Sequence, residues 1–393
     1  ALATLLLVVA SNWVSCTDES TDRTASGLRR WLLERDGSRS APPTGVLLNV
    51  GVQHYEQGRG LSATKALRRG EVAAWVPEHL ALSTETTSLP AQVLNRFLPR
   101  PQYGPRTVQL AAILLFESSL GQSSEFYQHI KSLPAHTPGN SATWSRSQKT
   151  LFNSVTGMQG SDCEAHLPVF VHNLLKFADE RQQQLALELQ TPVALWSSWN
   201  SSELQVRSQW ACAMAISRNF GGSLYPMLDM ANHNPRAVWG EDIVSIDFSP
   251  SCVPKMLECF PARAGVLSRS KGPLVPPLRC VESVRKSCLT NSDSLDGVGQ
   301  GFVALRDFEA GEQILDNYGM QSNLKLLFQW GFVDEGNLGG SDAILDWRTV
   351  SYLWEEHHHQ WAWMSRSVTP AIAQCVKLFD RLSLVRAGTA TLP

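Results

Sequence analysis

Strand-like alternation flanks a long helix-period stretch on both sides, and this ordering limits the fold more than any other feature of the chain. After Gly45, Val46 to Leu48 reads as a strand, followed by the turn-like Glu56-Gln57-Gly58-Arg59-Gly60. Leu61 to Leu67, an Arg69-Gly70 turn and the strand Glu71 to Val76, ended by Pro77, come next. From about Ser88 to Trp210 the period becomes helical. Val108, Ala111, Ala112, Leu115 and Phe116 share one face, Val169, Val171, Leu174, Leu175 and Phe177 crowd another, and Val206, Trp210 and Met214 recur every four residues. Strands return at Ile243 to Phe248, Val303 to Leu305 and Gln313 to Leu315, the last two joined through an Ala310-Gly311 turn. Helices therefore interrupt a β unit, and the expected class is α+β.

Outside that pattern, Leu28, Trp31, Leu32 and Leu33 suggest one short amphipathic helix, and Ser322 is placed to N-cap a helix carrying Leu324, Leu327 and Phe328 that Gly331 ends. The chain of 393 residues is long for a single module. It reads as an N-terminal segment 1–44, a core in two parts at 45–88 and 211–335, a helical insertion at 89–210, and a short helical region at 336–393. The stretch 250–300, rich in Pro, Ser, Gly and Cys, reads as a surface loop or insertion.

With 43% hydrophobic and 18% charged residues, the chain is not a disordered or collagen-like one. The balance of 34 basic against 36 acidic residues argues against a protein built to grip nucleic-acid phosphates, so no nucleic-acid partner is expected. The eight cysteines form no C-x-x-C pair, which removes the common structural zinc spacings. Free thiols are expected, although Cys252–Cys288 and Cys259–Cys280 pairings stay open. Ala1 to Ala10 is apolar but shorter than the roughly 20 residues that span a bilayer. It reads either as the hydrophobic part of a targeting segment or as a buried or frayed end. No other segment reads as transmembrane. His357, His358 and His359 point about 100° apart on a helix and cannot share one ion, so no metal site is expected.

Three short motifs carry candidate chemistry. Two glycines around Arg59 let backbone approach a ligand, though such a pair alone is commonly a hairpin. Ser217-Arg218-Asn219-Phe220 and Pro226 to Pro235 set Arg218, Asp229, Asn232 and His233 among apolar neighbours, and polar groups in such company need partners or a ligand. Asp316-Asn317-Tyr318-Gly319 follows a strand, so Tyr318 lies where the strand end delivers its phenol inward.

In order and spacing, these motifs resemble the SET-domain protein methyltransferases, and among them the Rubisco large-subunit lysine methyltransferase subclass. The resemblance rests on Gly-Arg-Gly-Leu-x-Ala-Thr, Ser-Arg-x-Phe, Pro-x-x-Asp-x-x-Asn-His-x-Pro, Ala-Gly-Glu-Gln-Ile and Tyr-Gly-x-x-Ser-Asn with Trp-Gly-Phe-Val. It runs from about Gly45 to Asn337. It implies a SET fold of short twisted sheets, with the Tyr318 segment threaded through the loop bearing Asn232 and His233. It also implies S-adenosylmethionine as cofactor and methyl transfer to a lysine of a non-histone protein. By the same resemblance, Gln57, Gly58 and Arg59 meet the cofactor mainly through backbone, Asn232 and His233 contact its methionine and adenine parts, and Tyr318 also borders it. Arg218, Asp229 and Trp330 line the substrate side, and Tyr318 is the active-site tyrosine. Relatives often carry an acid where this chain has Gln57, and a second tyrosine where it has Trp330. The resemblance further implies a monomer, an intracellular location and no membrane span. Transfer to a histidine ring, or a SET-like binding module without catalysis, are the competing expectations.

Overall fold

Two four-stranded sheets form the β part. In the first, β1 (Leu47–Leu48) pairs antiparallel with β4 (Val72–Pro77), β4 with β7 (Gly299–Ala304), and β7 with β6 (Ile243–Ile246). In the second the order is β2 (Val50–Tyr55), β3 (Gly58–Ala63), β8 (Gln313–Asp316), β5 (Asn232–His233), with β5 and β8 parallel and the other pairs antiparallel. Each sheet thus joins strands from before and after the helical stretch, and the α+β class stands. The computed structural model describes residues 20–37, 45–55, 58–98, 105–135, 139–156, 163–180, 195–233, 242–247, 250–259, 283–284, 286–288, 298–316, 318, 321 and 323–333. All of them belong to one unit, Ala1–Gly339. The expected elements at 336–393, including the three histidines, lie outside the described residues, as do Gln57 and the loop 234–241 that would close a thread around β8.

The central strand β4 is buried along Ala73 to Val76, as its unbroken apolar run requires. Trp75 is fully buried, and its indole lies flat on β7 because Gly299 and Gly301 carry no side chain. A Cβ on either would meet the ring at 2.7 and 2.8 Å and the carbonyls of Val76 and Ala74 at 2.5 Å. Two expectations change here. The glycine motif is not a turn, since Gly58, Arg59 and Gly60 are strand residues paired with Tyr55, His54 and Gln53. Strand β2, which the sequence reading passed over, is an edge strand whose Gln53 and His54 are exposed, so its apolar alternation is weak.

The helices are α1 (Ser20–Asp36), α2 (Ala91–Phe97), α3 (Pro105–Leu120), α4 (Tyr127–Ser132), α5 (Arg146–Thr156), α6 (Cys163–Glu180), α7 (Ser201–Ser217), α8 (Val253–Leu257) and α9 (Asn323–Trp330). A hydrophobic cluster built on Leu110 to Phe116 of α3 packs against α6 and α7. Helix α7 opens with a capping box: Asn200 accepts from the Glu203 amide at 2.9 Å and Glu203 accepts from the Asn200 amide at 3.0 Å. Its far end, where the Arg218 amide bonds the Met214 carbonyl at 3.0 Å, reaches the site described below.

The expectation of free thiols is corrected. Cys163 at the start of α6 is disulfide-bonded to Cys212 of α7, and Cys252 to Cys288. The second bond lies in the stretch read as surface loop, where Val253, Met256, Cys259 and Cys288 are buried in a cluster with Trp75 and Val303. Pro and Ser dilute the apolar pattern there without removing the core contacts. Among the described residues, no helix is long and apolar enough to cross a membrane, and no group of three or more His, Cys, Asp or Glu residues is arranged to hold a metal.

Candidate active site

Parallel pairing of β5 with β8 sets the site. Asn232 lies opposite Leu315 and His233 opposite Asp316, so the chain leaving β8 passes Tyr318 alongside the imidazole. The Tyr318 amide donates to His233 Nδ1 at 3.2 Å, and its phenol donates to the Ala231 carbonyl at 2.7 Å. The His233 and Tyr318 rings stack at 5.0 Å. Trp330, at the end of α9, stacks on Tyr318 at 4.7 Å, and Phe332 lies 5.9 Å from His233. The Trp330 indole donates to the Ser217 carbonyl at 2.9 Å, which ties α9 to the end of α7. Three segments far apart in sequence thus build one aromatic wall.

A charged wall lies beside it. Met227 has a positive φ (φ 71°, ψ −47°), near the strained γ-turn conformation and costing about 1–3 kcal/mol in a residue other than glycine. It turns the chain into the short Leu228–Met230 turn of helix that carries Asp229. The Asp229 carboxylate is fully buried. Its Oδ2 lies 3.5 Å from Arg218 Nη1 and 3.6 Å from His129 Nε2, whereas Oδ1 has no hydrogen-bond partner. The same Arg218 nitrogen donates to the Asp229 carbonyl at 2.5 Å, and Arg218 Nε is buried without a partner. Burial alone would raise the Asp229 pKa. His129, then the charges of Arg218 and Arg59, outweigh it and hold the carboxyl below its usual range. Arg59 of β3 feels this cluster: burial, then the Arg218 charge, lowers its pKa against the opposing pull of Asp229.

Between the walls, Gly60 presses on Asn232. A Cβ there would fall 2.7 Å from Asn232 Nδ2 and 2.9 Å from Gln313 Nε2, and both nitrogens are buried with no partner. Gly60 is needed for space, not for an unusual φ. Burial, aided by Asp316, raises the Tyr318 pKa well above the ordinary phenol value, so the hydroxyl stays protonated and donates.

Of the residues singled out by sequence, Arg218, Asp229, Asn232, His233, Tyr318 and Trp330 come together through the contacts above, and Arg59 couples electrostatically to Arg218 and Asp229. Gly58 opens β3 opposite Tyr55, and Gln57 lies outside the described residues. Sequence reasoning missed His129 and the carboxamide of Gln313. His129 sits on a six-residue helix 100 positions before its partner, with no motif around it. Gln313 was visible as a strand residue and within the Ala-Gly-Glu-Gln-Ile motif, with no site role attached to it.

A cavity of about 510 Å³ between α1 and β2, lined by residues including Arg29, Gln53, His54 and Met227, contains none of the singled-out residues in its lining.

Comparison with protein-family models gives no match, and comparison with curated proteins gives none. Among solved structures, the chain is similar to Rubisco LSMT bound to AdoMet and to the SET domain of LSMT bound to lysine and AdoHcy. Each is 17% identical with a TM-score of 0.44, over 79% of this chain and 57% of the other. Rubisco LSMT bound to sinefungin and monomethyllysine gives 17% identity and a TM-score of 0.43. The chain spans between half and two thirds of the length of the solved chains it matches.

Proposed function

We propose that this chain is a SET-type methyltransferase that uses S-adenosylmethionine to methylate lysine side chains of proteins, non-histone proteins in particular. One observation carries the reading: three separated motifs deliver Arg218, Asp229, Asn232, His233 and Tyr318 to one place. The same motifs, in the same order, support the resemblance on sequence alone.

The residues present fit such a cofactor. Asn232 Nδ2 and Arg218 Nε are buried donors without partners, and Gly60 leaves a bare backbone face beside the first of them. A ligand offering acceptors there relieves a penalty of about 1–3 kcal/mol for each orphan donor. Asn232, His233 and the Gly58 to Gly60 backbone would hold the cofactor, with Arg218 beside a carboxylate. When bound, the cofactor supplies an activated methyl group.

The chain's own residues then have three tasks. The rings of Tyr318, Trp330 and Phe332 gather apolar surface beside His233, and desolvation against it favours the neutral amine that a lysine nucleophile must become. The protonated Tyr318 fixes the Ala231 carbonyl and the local backbone, so polar atoms face the reacting group in a set direction. Trp330 presents a ring face and no hydroxyl, because its only polar atom is engaged with Ser217. That favours an amine recognised by shape over one held by a hydrogen bond.

The partner is a protein substrate, and the chain acts as a monomer. The disulfides Cys163–Cys212 and Cys252–Cys288 favour an oxidising compartment over the reducing cytosol, which pulls against the intracellular expectation. The test is incubation of the purified chain with methyl-labelled S-adenosylmethionine and a cell lysate, with labelled sites mapped by mass spectrometry. Label on lysine is the expected result. Label on histidine selects the ring-methylating alternative, and no label with no binding of S-adenosylhomocysteine defeats the reading.

A further inference from the structure

Three strands of the second sheet meet around a single point. Gly60 belongs to β3, Gln313 to β8 and Asn232 to β5, and the order β3-β8-β5 sets Gln313 on the strand between the other two. Pairing of Leu61 with Ile314 and of Ser62 with Gln313 fixes the backbone of Gln313 in register with β3. The carboxamide nitrogens of Asn232 and Gln313 both lie within 3 Å of where a Gly60 Cβ would stand, so both side chains rest on the bare glycine. Both residues are half-buried, but the two amide nitrogens are buried and neither has a hydrogen-bond partner. Buried amide donors normally find acceptors, and two orphans at one spot are an exception that asks for a ligand.

We propose that Gln313 is a cofactor-positioning residue. Packed with Asn232 against Gly60, it fixes the direction of the Asn232 amide and adds a second donor toward the same acceptor atom of an adenosyl amino-acid cofactor. Gln313 acts chiefly through Asn232, so the two effects are coupled. This rests on the reading of the site given above.

The test is calorimetric titration of S-adenosylhomocysteine into the whole chain, comparing wild type with Gln313→Met, Asn232→Ala and the double variant, alongside their melting temperatures. Met keeps the length and volume of Gln while removing the amide. The expected result is a Kd raised about 5- to 10-fold by Gln313→Met, the size of one lost hydrogen bond. Adding Gln313→Met to Asn232→Ala is expected to weaken binding by less than about twofold, because coupled residues are not additive. A merely structural glutamine would lower the melting temperature and leave the losses additive. If Gln313→Met does not fold, Gln313→Glu, which replaces the donor by an acceptor at the same length, carries the same comparison. An unchanged Kd in the Gln313 variant, or additive losses, overturns the role of Gln313 while leaving the cofactor reading intact. Wild type that binds no S-adenosylhomocysteine overturns both.

Discussion

Two buried carboxylates in this protein are held in opposite ways. Glu117 on α3 accepts four short hydrogen bonds, from the Thr87 hydroxyl, the Ser88 amide and hydroxyl, and the Ser124 hydroxyl, at 2.6 to 2.8 Å. Asp229 has Arg218 and His129 at 3.5 and 3.6 Å and one oxygen with no partner. The first is a lock, since its lone pairs are consumed in tying the segment before α2 to the turn before α4. The second keeps unspent hydrogen-bonding capacity next to Tyr318, Asn232 and Arg218. A carboxylate whose partners are complete tells of architecture, and one left incomplete beside other orphan polar atoms tells of a ligand.

The largest effect expected from this contrast is on stability. Glu117→Ala strands four donors and is expected to lower unfolding free energy by about 3–5 kcal/mol in denaturant titration. Binding of S-adenosylhomocysteine is expected to persist wherever the fold survives. Asp229→Asn should cost less stability, about 1–3 kcal/mol, because its contacts are long and Arg218 keeps its bond to the main-chain carbonyl. A greater loss for Asp229→Asn than for Glu117→Ala breaks the comparison.

The smallest effect is a dependence on acid. The folded Asp229 pKa is depressed, so the stability it contributes is fully present above its unfolded value of about 3.9 and is lost as pH falls through the lower folded value. Wild type and Asp229→Asn are therefore expected to keep a constant difference in melting temperature between about pH 5 and 7, and to converge below about pH 4. A difference that grows with acidity would show the sign to be wrong.

The same contrast explains what the sequence made legible. His233, Tyr318 and Trp330 were readable because each sits in a short motif whose backbone is fixed by β5, β8 or α9. Strand β8 and the close of α9 at Gly331 were readable from local periodicity and turn chemistry. Other features depend on contacts that leave no local mark. His129 reaches Asp229, and Asn140, in the turn before α5, donates to the Ala213 and Gln329 carbonyls, joining α7 to α9. Cys163 and Cys212 are 49 residues apart, a spacing that belongs to no pattern, yet packing of α6 on α7 brings their Cα atoms to 5.8 Å. Val206 shows the converse. It fits the helical period with Trp210 and Met214 but is exposed.

The central claim is that Tyr318, Asn232, His233, Arg218 and Asp229 form one site for moving a methyl group, and Tyr318→Phe tests it most directly. The phenol's bond to the Ala231 carbonyl is lost while the stack with His233 and Trp330 is kept. Methyl transfer under single turnover is expected to fall about 100-fold, with the Kd for S-adenosylhomocysteine shifted by less than about threefold, since the lost bond orients backbone and does not hold ligand. Transfer at the wild-type rate in that variant would contradict the account.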